Sequence, residues 1–401
     1  MKSKTFLVII GAVLVPLLVA FIFQTASRSV PTQTTRYEVR TDSPTAHYPI
    51  VPDSPVRNVI LFVGDGMGIN QITASRIKLL GPDARLHMER MPVTGFITTH
   101  CEDSLITDSG ASGSALATGY KVPYRHISVN RKGEHLLTIL EAARAKGMAT
   151  GLVTTTEIVD ATPAAFGAHV AHRDSHNTIA KQLVESGIDV LMGGGKKHFI
   201  PQSQSGSERS DETDLIARIK SLGYTYVETV DEMKKARSPK LFGLFSTEEL
   251  KDESPKPSVG EMTAKAIQIL SKHKSGFFLM VETERTDEDS HANQFDLLAK
   301  GVMDFDEAVR MGIEFAQKDR RTLVLVTADH ETGGLQFDKG GPVERQLQVV
   351  WTTTRHTGQP VPVFAFGPHA MKFTGLRDNT DIPRTIATLL RIKNFPRVVG
   401  E

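Results

Sequence analysis

A single cysteine, Cys101, stands among 401 residues, so no intrachain disulfide can form and the fold must rest on its core and any bound ions. An excess of one charge is missing too. Against 46 Asp+Glu there are 47 Lys+Arg, a formal net charge of +1, which offers no polycationic field to a nucleic-acid backbone. No basic stripe is interleaved with aromatics, and aromatics are only 6% of the chain; no nucleic-acid partner is expected. Internal repeats are absent. Apolar residues, at 40%, are plentiful enough for one large core or two modest ones.

The N-terminus carries a compartment signal. Lys2 and Lys4 precede an uncharged apolar run, residues 5–23, which follows the plan of an export signal. The run approaches the roughly 20 residues needed to span a bilayer, and Thr25-Ala26-Ser27 offers a small-residue processing site. Residues 1–27 are therefore expected to be a signal peptide or an N-terminal membrane anchor. The body would then be exported, periplasmic or extracellular. Residues 28–57, rich in Ser, Thr and Pro, read as a flexible tether, and residues 58–401 as one catalytic domain.

Within that domain short apolar runs alternate with amphipathic stretches. The runs are Val59–Val63, Gly151–Val153, Asp189–Met192, Phe277–Val281, Thr322–Val326 and Val361–Phe366. Their alternation predicts an α/β fold, three-layer α/β/α, with a mostly parallel central sheet. Helices are expected over Glu134–Lys146, ending at Gly147, and over Glu261–Leu270 and Ile382–Leu390. The polar region Gln202–Ser258 reads as a peripheral helical excursion, and Gly193-Gly194-Gly195 as a tight turn.

In an open parallel sheet, ligands bind beyond the carboxyl ends of the strands. Four runs end on acidic or histidine residues: Asp65, Asp160 with Thr162, Glu282, and Asp329-His330. One strand-end carboxylate is an ordinary helix cap; four together point to a site. Asp287 and His291, four apart, would share a helical face and could share a metal ion. His356 sits in a loop of small neighbours before the last run. Thr107-Asp108-Ser109-Gly110-Ala111-Ser112 opens a small-residue helix whose N-terminus suits an anion, with Ser109 as a nucleophile or simply a cap.

These motifs, with Gly64-Asp65-Gly66-Met67-Gly68, Asp160-Ala161-Thr162-Pro163-Ala164-Ala165, Arg173, Thr327-Ala328-Asp329-His330 and His356-Thr357-Gly358, stand in the order of the alkaline phosphatase family. From about Asn58 onwards the chain resembles a small bacterial member with a reduced crown insertion. The resemblance implies a phosphate monoester hydrolase acting through a phosphoserine on Ser109. It implies one zinc held by Asp287, His291 and His356, and a second held by Asp65, Asp329 and His330. A magnesium would be held by Asp65, Thr162 and Glu282, with Asp160 close by. Arg173 would grip the phosphate as a bidentate fork oriented by Asp108. Relatives are commonly homodimers, so a homodimer is expected.

Two departures stand out. Glu288 follows Asp287 where relatives often carry Lys, Trp or His, and Thr283 replaces a small Gly after Glu282. Only 25 residues separate His330 from His356, which predicts an open entrance and broad substrates. His169, His172 and His176 are expected to be structural or surface residues. The rival functions are a phosphodiesterase or sulfatase on the same scaffold, and a binding protein without turnover. A sulfatase would need a modified Cys or Ser in a C-x-P-x-R setting, which is absent.

Overall fold

Runs rich in Val, Ile, Leu and Phe fold as strands buried on both faces, where no polar side is needed. The computed structural model describes residues 30–41, 44–250 and 255–400. The expected signal or anchor over residues 1–27, with its apolar run 5–23, lies outside the described residues. Among the described residues no helix is long and apolar enough to cross a membrane.

In chain order the strands are β1 (Thr32–Arg36), β2 (Asn58–Gly64), β3 (Val93–Thr98), β4 (Ala149–Glu157), β5 (Val190–Gly194), β6 (Thr225–Val227), β7 (Leu241–Leu244) and β8 (Phe277–Thr283). Then follow β9 (Thr322–Thr327), β10 (Glu331–Thr332), β11 (Leu335–Gly341), β12 (Gln346–Trp351), β13 (His356–Thr357), β14 (Val361–Phe366) and β15 (Gly375–Asp378). The central sheet has ten strands in the order β15-β3-β14-β9-β2-β8-β4-β5-β7-β6. Every pairing is parallel except the two made by β14. All six predicted runs fall on strands, with only Asp189 left just ahead of β5, and the expected mostly parallel sheet is present.

Helices cover both faces, completing three layers. Ile69–Leu80, Val259–Leu270 and Phe295–Asp319 pack together on one side. Ser109–Thr118, Ile139–Ala145, Ala161–Gly167 and Asp381–Leu389 pack together on the other.

Four local expectations change. The helix expected over Glu134–Lys146 begins at Ile139, because His135 and Leu136 are taken by bridges to Val129 and Val398, and Thr138 closes a capping box with Glu141. It ends as expected: Gly147, at φ +79°, donates its N–H to Arg144 O at 2.8 Å. The region Gln202–Ser258 is not purely helical. Its short segments Thr-Tyr-Val and Leu-Phe-Gly-Leu extend the sheet as β6 and β7. Residues 28–57 are not wholly a tether, since Thr32–Arg36, β-branched and polar, pairs antiparallel with β12 and hides its edge. Gly193 and Gly194 continue β5, and the turn falls at Gly195, φ +87°.

Candidate active site

Every acidic or histidine residue singled out at a strand end lies on one rim of the sheet. Asp65 follows β2, where Gly66 takes φ +65° and its N–H donates to Asp329 Oδ1 at 3.2 Å. A Cβ on Gly66 would lie 2.5 Å from Asp287 Oδ1, so only glycine lets Asp287 approach. Thr283, the departure after Glu282, fits without disturbance as the last residue of β8, its carbonyl accepting from the Asp65 N–H at 3.0 Å.

Ser109 opens the helix Ser109–Thr118, and Asp108 caps it by accepting from the N–H groups of Gly110 at 3.0 Å and Ala111 at 3.2 Å. The same carboxylate accepts from the Arg125 N–H at 2.9 Å and from Arg173 Nη1 at 3.2 Å. Ser109 Oγ lies 3.3 Å from His330 Nε2. That nitrogen also stands 3.4 Å from Asp65 Oδ1 and 3.2 Å from Asp329 Oδ2. The three donors of the expected second zinc site and its nucleophile thus converge.

The other expected zinc ligands also meet. His291 Nε2 is 3.1 Å from Asp287 Oδ2 and 3.1 Å from His356 Nε2, and His356 Nε2 is 3.7 Å from Asp287 Oδ1. The Nδ1 atoms of His291 and His356 contact the carbonyls of Thr354 (2.7 Å) and Thr107 (2.9 Å). A carbonyl can only accept, so each Nδ1 carries a proton, and in the neutral ring Nε2 is left with the lone pair that a metal would take.

The oxygen-rich group sits beside β4. Thr154 Oγ1 donates to Glu282 Oε2 at 2.6 Å, and Thr156 Oγ1 donates to Asp160 Oδ2 at 3.2 Å. Asp160 stands near enough to Glu282 to repel it. Its Oδ1 accepts from Arg173 Nη2 at 2.9 Å and from the Ala161 N–H at 2.6 Å, so both its oxygens are engaged. Arg173 is therefore oriented by Asp160 as well as by Asp108.

Electrostatics set this rim apart. Burial pushes Glu282 up to about 8, with Asp160 and Asp329 adding repulsion. Burial and Asp287 raise Asp329 to about 7. Asp65 is raised well above the carboxylate range by burial and then by Asp329. Against its burial, Asp287 is held low by the His291 hydrogen bond and by the His330 and His356 rings. His291 rises to about 9 through its bond to Asp287, and burial drives His330 well below its ordinary value. With Asp65, Glu282 and Asp329 pushed towards their protonated forms, the buried carboxylates outnumber the positive charge that His291 and Arg173 supply.

Several contributors escaped the sequence reading. Glu284, two residues beyond Glu282, stands with Asp65 and Glu282, the ligand atoms of all three lying within 4.8 Å of one another. It lies just past the end of β8 as the residue before the helix Arg285–His291, so no strand period marked it in the sequence. The three threonines closing β4 support the rim, and their run at a strand end was the available sign. Thr332 Oγ1 bonds Asp287 Oδ1 and lies 3.2 Å from His330 Nδ1. Glu288 is exposed.

The three flanking histidines sit outside the main cluster. His169 contacts Ser128 O at 2.9 Å and Glu141 at 3.0 Å, and His172 accepts from Arg125 Nε at 3.2 Å. His176 stands with Glu157 and His198, but Glu157 is already paired with Lys197 at 2.8 Å and His198 at 2.7 Å.

Comparison with known proteins agrees with this geometry. The family model described as alkaline phosphatase matches residues 56–345 and 336–392. Alkaline phosphatase 4 of Bacillus subtilis is 35% identical over 84% of this chain and 89% of its own. The alkaline phosphatase of the Antarctic bacterium TAB5 superposes with a TM-score of 0.77 at 29% identity, covering 85% of this chain and all of that one. A variant of that enzyme has Mg bound in its M3 site.

Proposed function

The chain belongs to the alkaline phosphatase family and is a phosphoric monoester hydrolase, and we propose that it works through a phosphoserine on Ser109 with two zinc ions and one magnesium. The observation that carries this reading is a set of buried oxygens without hydrogen-bond partners: Asp65 Oδ1, Thr162 Oγ1, Glu282 Oε1 and Asp329 Oδ2. Orphaned oxygens of this kind fit cations. Asp287, His291 and His356 would hold one zinc, and Asp65, Asp329 and His330 the other. Asp65, Thr162 and Glu282 would hold magnesium, consistent with a preference of imidazole-containing sets for zinc and oxygen-only sets for magnesium. When bound, these ions neutralise the phosphate dianion and favour deprotonated oxygen nucleophiles.

The side chains supply position. Ser109, at the positive end of its helix, attacks phosphorus in line, the ester P–O bond breaks and the alcohol departs. Water then cleaves the Ser109–phosphate bond and releases inorganic phosphate. Arg173, anchored by Asp108 and Asp160, keeps further N–H donors for the phosphoryl oxygens. The helix face holding Ser109 stays fixed because Ser112 Oγ donates to Asp329 O at 2.6 Å, tying nucleophile to ligand strand.

Ser109→Ala is expected to lower the rate on a nitrophenyl phosphate by about a thousandfold or more. Mild acid should trap labelled phosphate on Ser109 in the parent chain. A variant that turns over normally, or an absence of trapped label, refutes the phosphoserine route. Faster cleavage of the methyl diester than of the monoester would favour the diesterase reading. Export rests on Lys2, Lys4 and the run 5–23, and fractionation of expressing cells tests it. Light scattering tests the homodimer that the family resemblance suggests.

A further inference from the structure

Three oxygens without hydrogen-bond partners, Asp65 Oδ1, Thr162 Oγ1 and Glu282 Oε1, belong to residues of the oxygen-rich corner that are almost wholly enclosed: Asp65 at 2%, Thr162 at 1% and Glu282 at 0% exposure. The family motif accounts for these three donors. It does not account for Glu284, whose carboxylate completes a trio with Asp65 and Glu282 within 4.8 Å.

The backbone fixes this placement. The Glu284 N–H donates to Thr155 Oγ1 at 3.0 Å, while the preceding threonine, Thr154, donates to Glu282 Oε2 at 2.6 Å. The Glu284 backbone and the Glu282 carboxylate are thereby tied to adjacent residues of β4. The site's guanidinium cannot neutralise the trio, because Arg173 is engaged by Asp108 and Asp160. Three carboxylates converging in a buried corner beside a hydroxyl make an all-oxygen donor set, which suits hard divalent ions and disfavours zinc. Carboxylate count is also what tunes affinity in such sites.

We propose that Glu284 is an additional donor to the oxygen-only site, giving it three carboxylates beside Thr162, so that the chain retains magnesium tightly and excludes zinc there. This rests on the reading of Asp65 and Glu282 as magnesium ligands.

The test uses the full chain stripped by chelator, reloaded with zinc and titrated calorimetrically with Mg²⁺, with metal content measured after dialysis. Glu284→Gln should weaken Mg²⁺ binding by about tenfold or more, leave two zinc ions per chain, and melt no lower than the parent when metal-free. Glu288→Gln, on the exposed side of the same turn, should change Mg²⁺ affinity by less than about threefold. If Glu284→Gln binds Mg²⁺ within about twofold of the parent while Glu282→Gln loses it, Glu284 is not a donor and the magnesium site stands. If Glu282→Gln also binds normally, the magnesium reading itself fails. Should Glu284→Gln not fold, Glu284→Ala is read in the same way, and failure of both marks a purely structural role and overturns the proposal.

Discussion

Removing the metal ions is expected to leave protons in their stead, and the structure says how many. At pH 7 Glu282, held at about 8, and His291, held at about 9, are mostly protonated, and Asp329, held at about 7, is half so. Reloading the chelated chain should therefore release at least about two protons at pH 7, with Asp65 and Glu284, both raised by burial, adding to the count, and fewer as pH rises through 9. Stability follows with a definite sign. The raised carboxyls stabilise the metal-free fold below their unfolded values near 4, and that contribution is lost as pH climbs through 7 and 8. His291 acts in the same direction, present below 6.5 and lost through about 9. His330, depressed by burial, works oppositely, stabilising only above about 6.5. The net fall should thus be steepest from about pH 6.5 to 9, and each retained proton contributes a slope of about 1.4 kcal/mol per pH unit. Proton uptake and release in a weakly buffered dye solution, with urea unfolding of both forms, measures this. Release of less than about one proton at pH 7, or a metal-free chain equally stable at both ends of the window, refutes the reasoning.

Arg173→Lys replaces a planar fork with a point charge, and the phosphate inhibition constant should rise by about 10- to 100-fold in competition assays. Thr138→Ala opens the capping box with Glu141; urea denaturation should show a loss of about 1 kcal/mol with little change in turnover. Gly113 separates the two small-residue helices, its hypothetical Cβ lying 3.3 Å from both Ala165 Cβ and Thr162 Cα. Gly113→Leu should cost about 1–3 kcal/mol and lower turnover as well, since it parts the helix bearing Ser109 from that bearing Thr162.

What could be read from the chain was what hydrophobic patterning controls. β2, β8 and β9 are unbroken apolar runs, and the polar residues that end them marked the rim. β6 and β7 escaped because three or four residues in a Lys- and Glu-rich stretch carry too little period to detect. β1 escaped because its alternation is among polar residues, and its reason to be a strand, the edge of β12, is more than 300 positions away. Asp160 shows the limit at the site. Its motif gave it a place close to the oxygen-rich group, but that it also orients Arg173, whose Nη2 donates to Oδ1 at 2.9 Å, is set by distances of a few ångström that only folding fixes. Glu284 looked like the start of a helix, and only folding sets it against Asp65.

Alone in the sheet, β14 runs against its neighbours, pairing Phe364 with Val326 and Phe366 with Val324. Its first residues therefore lie at the same rim where β9 gives way to Asp329 and His330. The chain can leave that rim after His330, fold β11 and β12 as a hairpin, and return with His356 without crossing a face of the sheet. The excursion is nonetheless tied into the body: β12 takes β1 on its edge, the hairpin packs on the helix Ile69–Leu80, and Leu335, Val349 and Trp351 are buried in the main core. Only the hairpin tip, around the exposed Val343, is free to change length without disturbing that packing or the register of the residues at the rim.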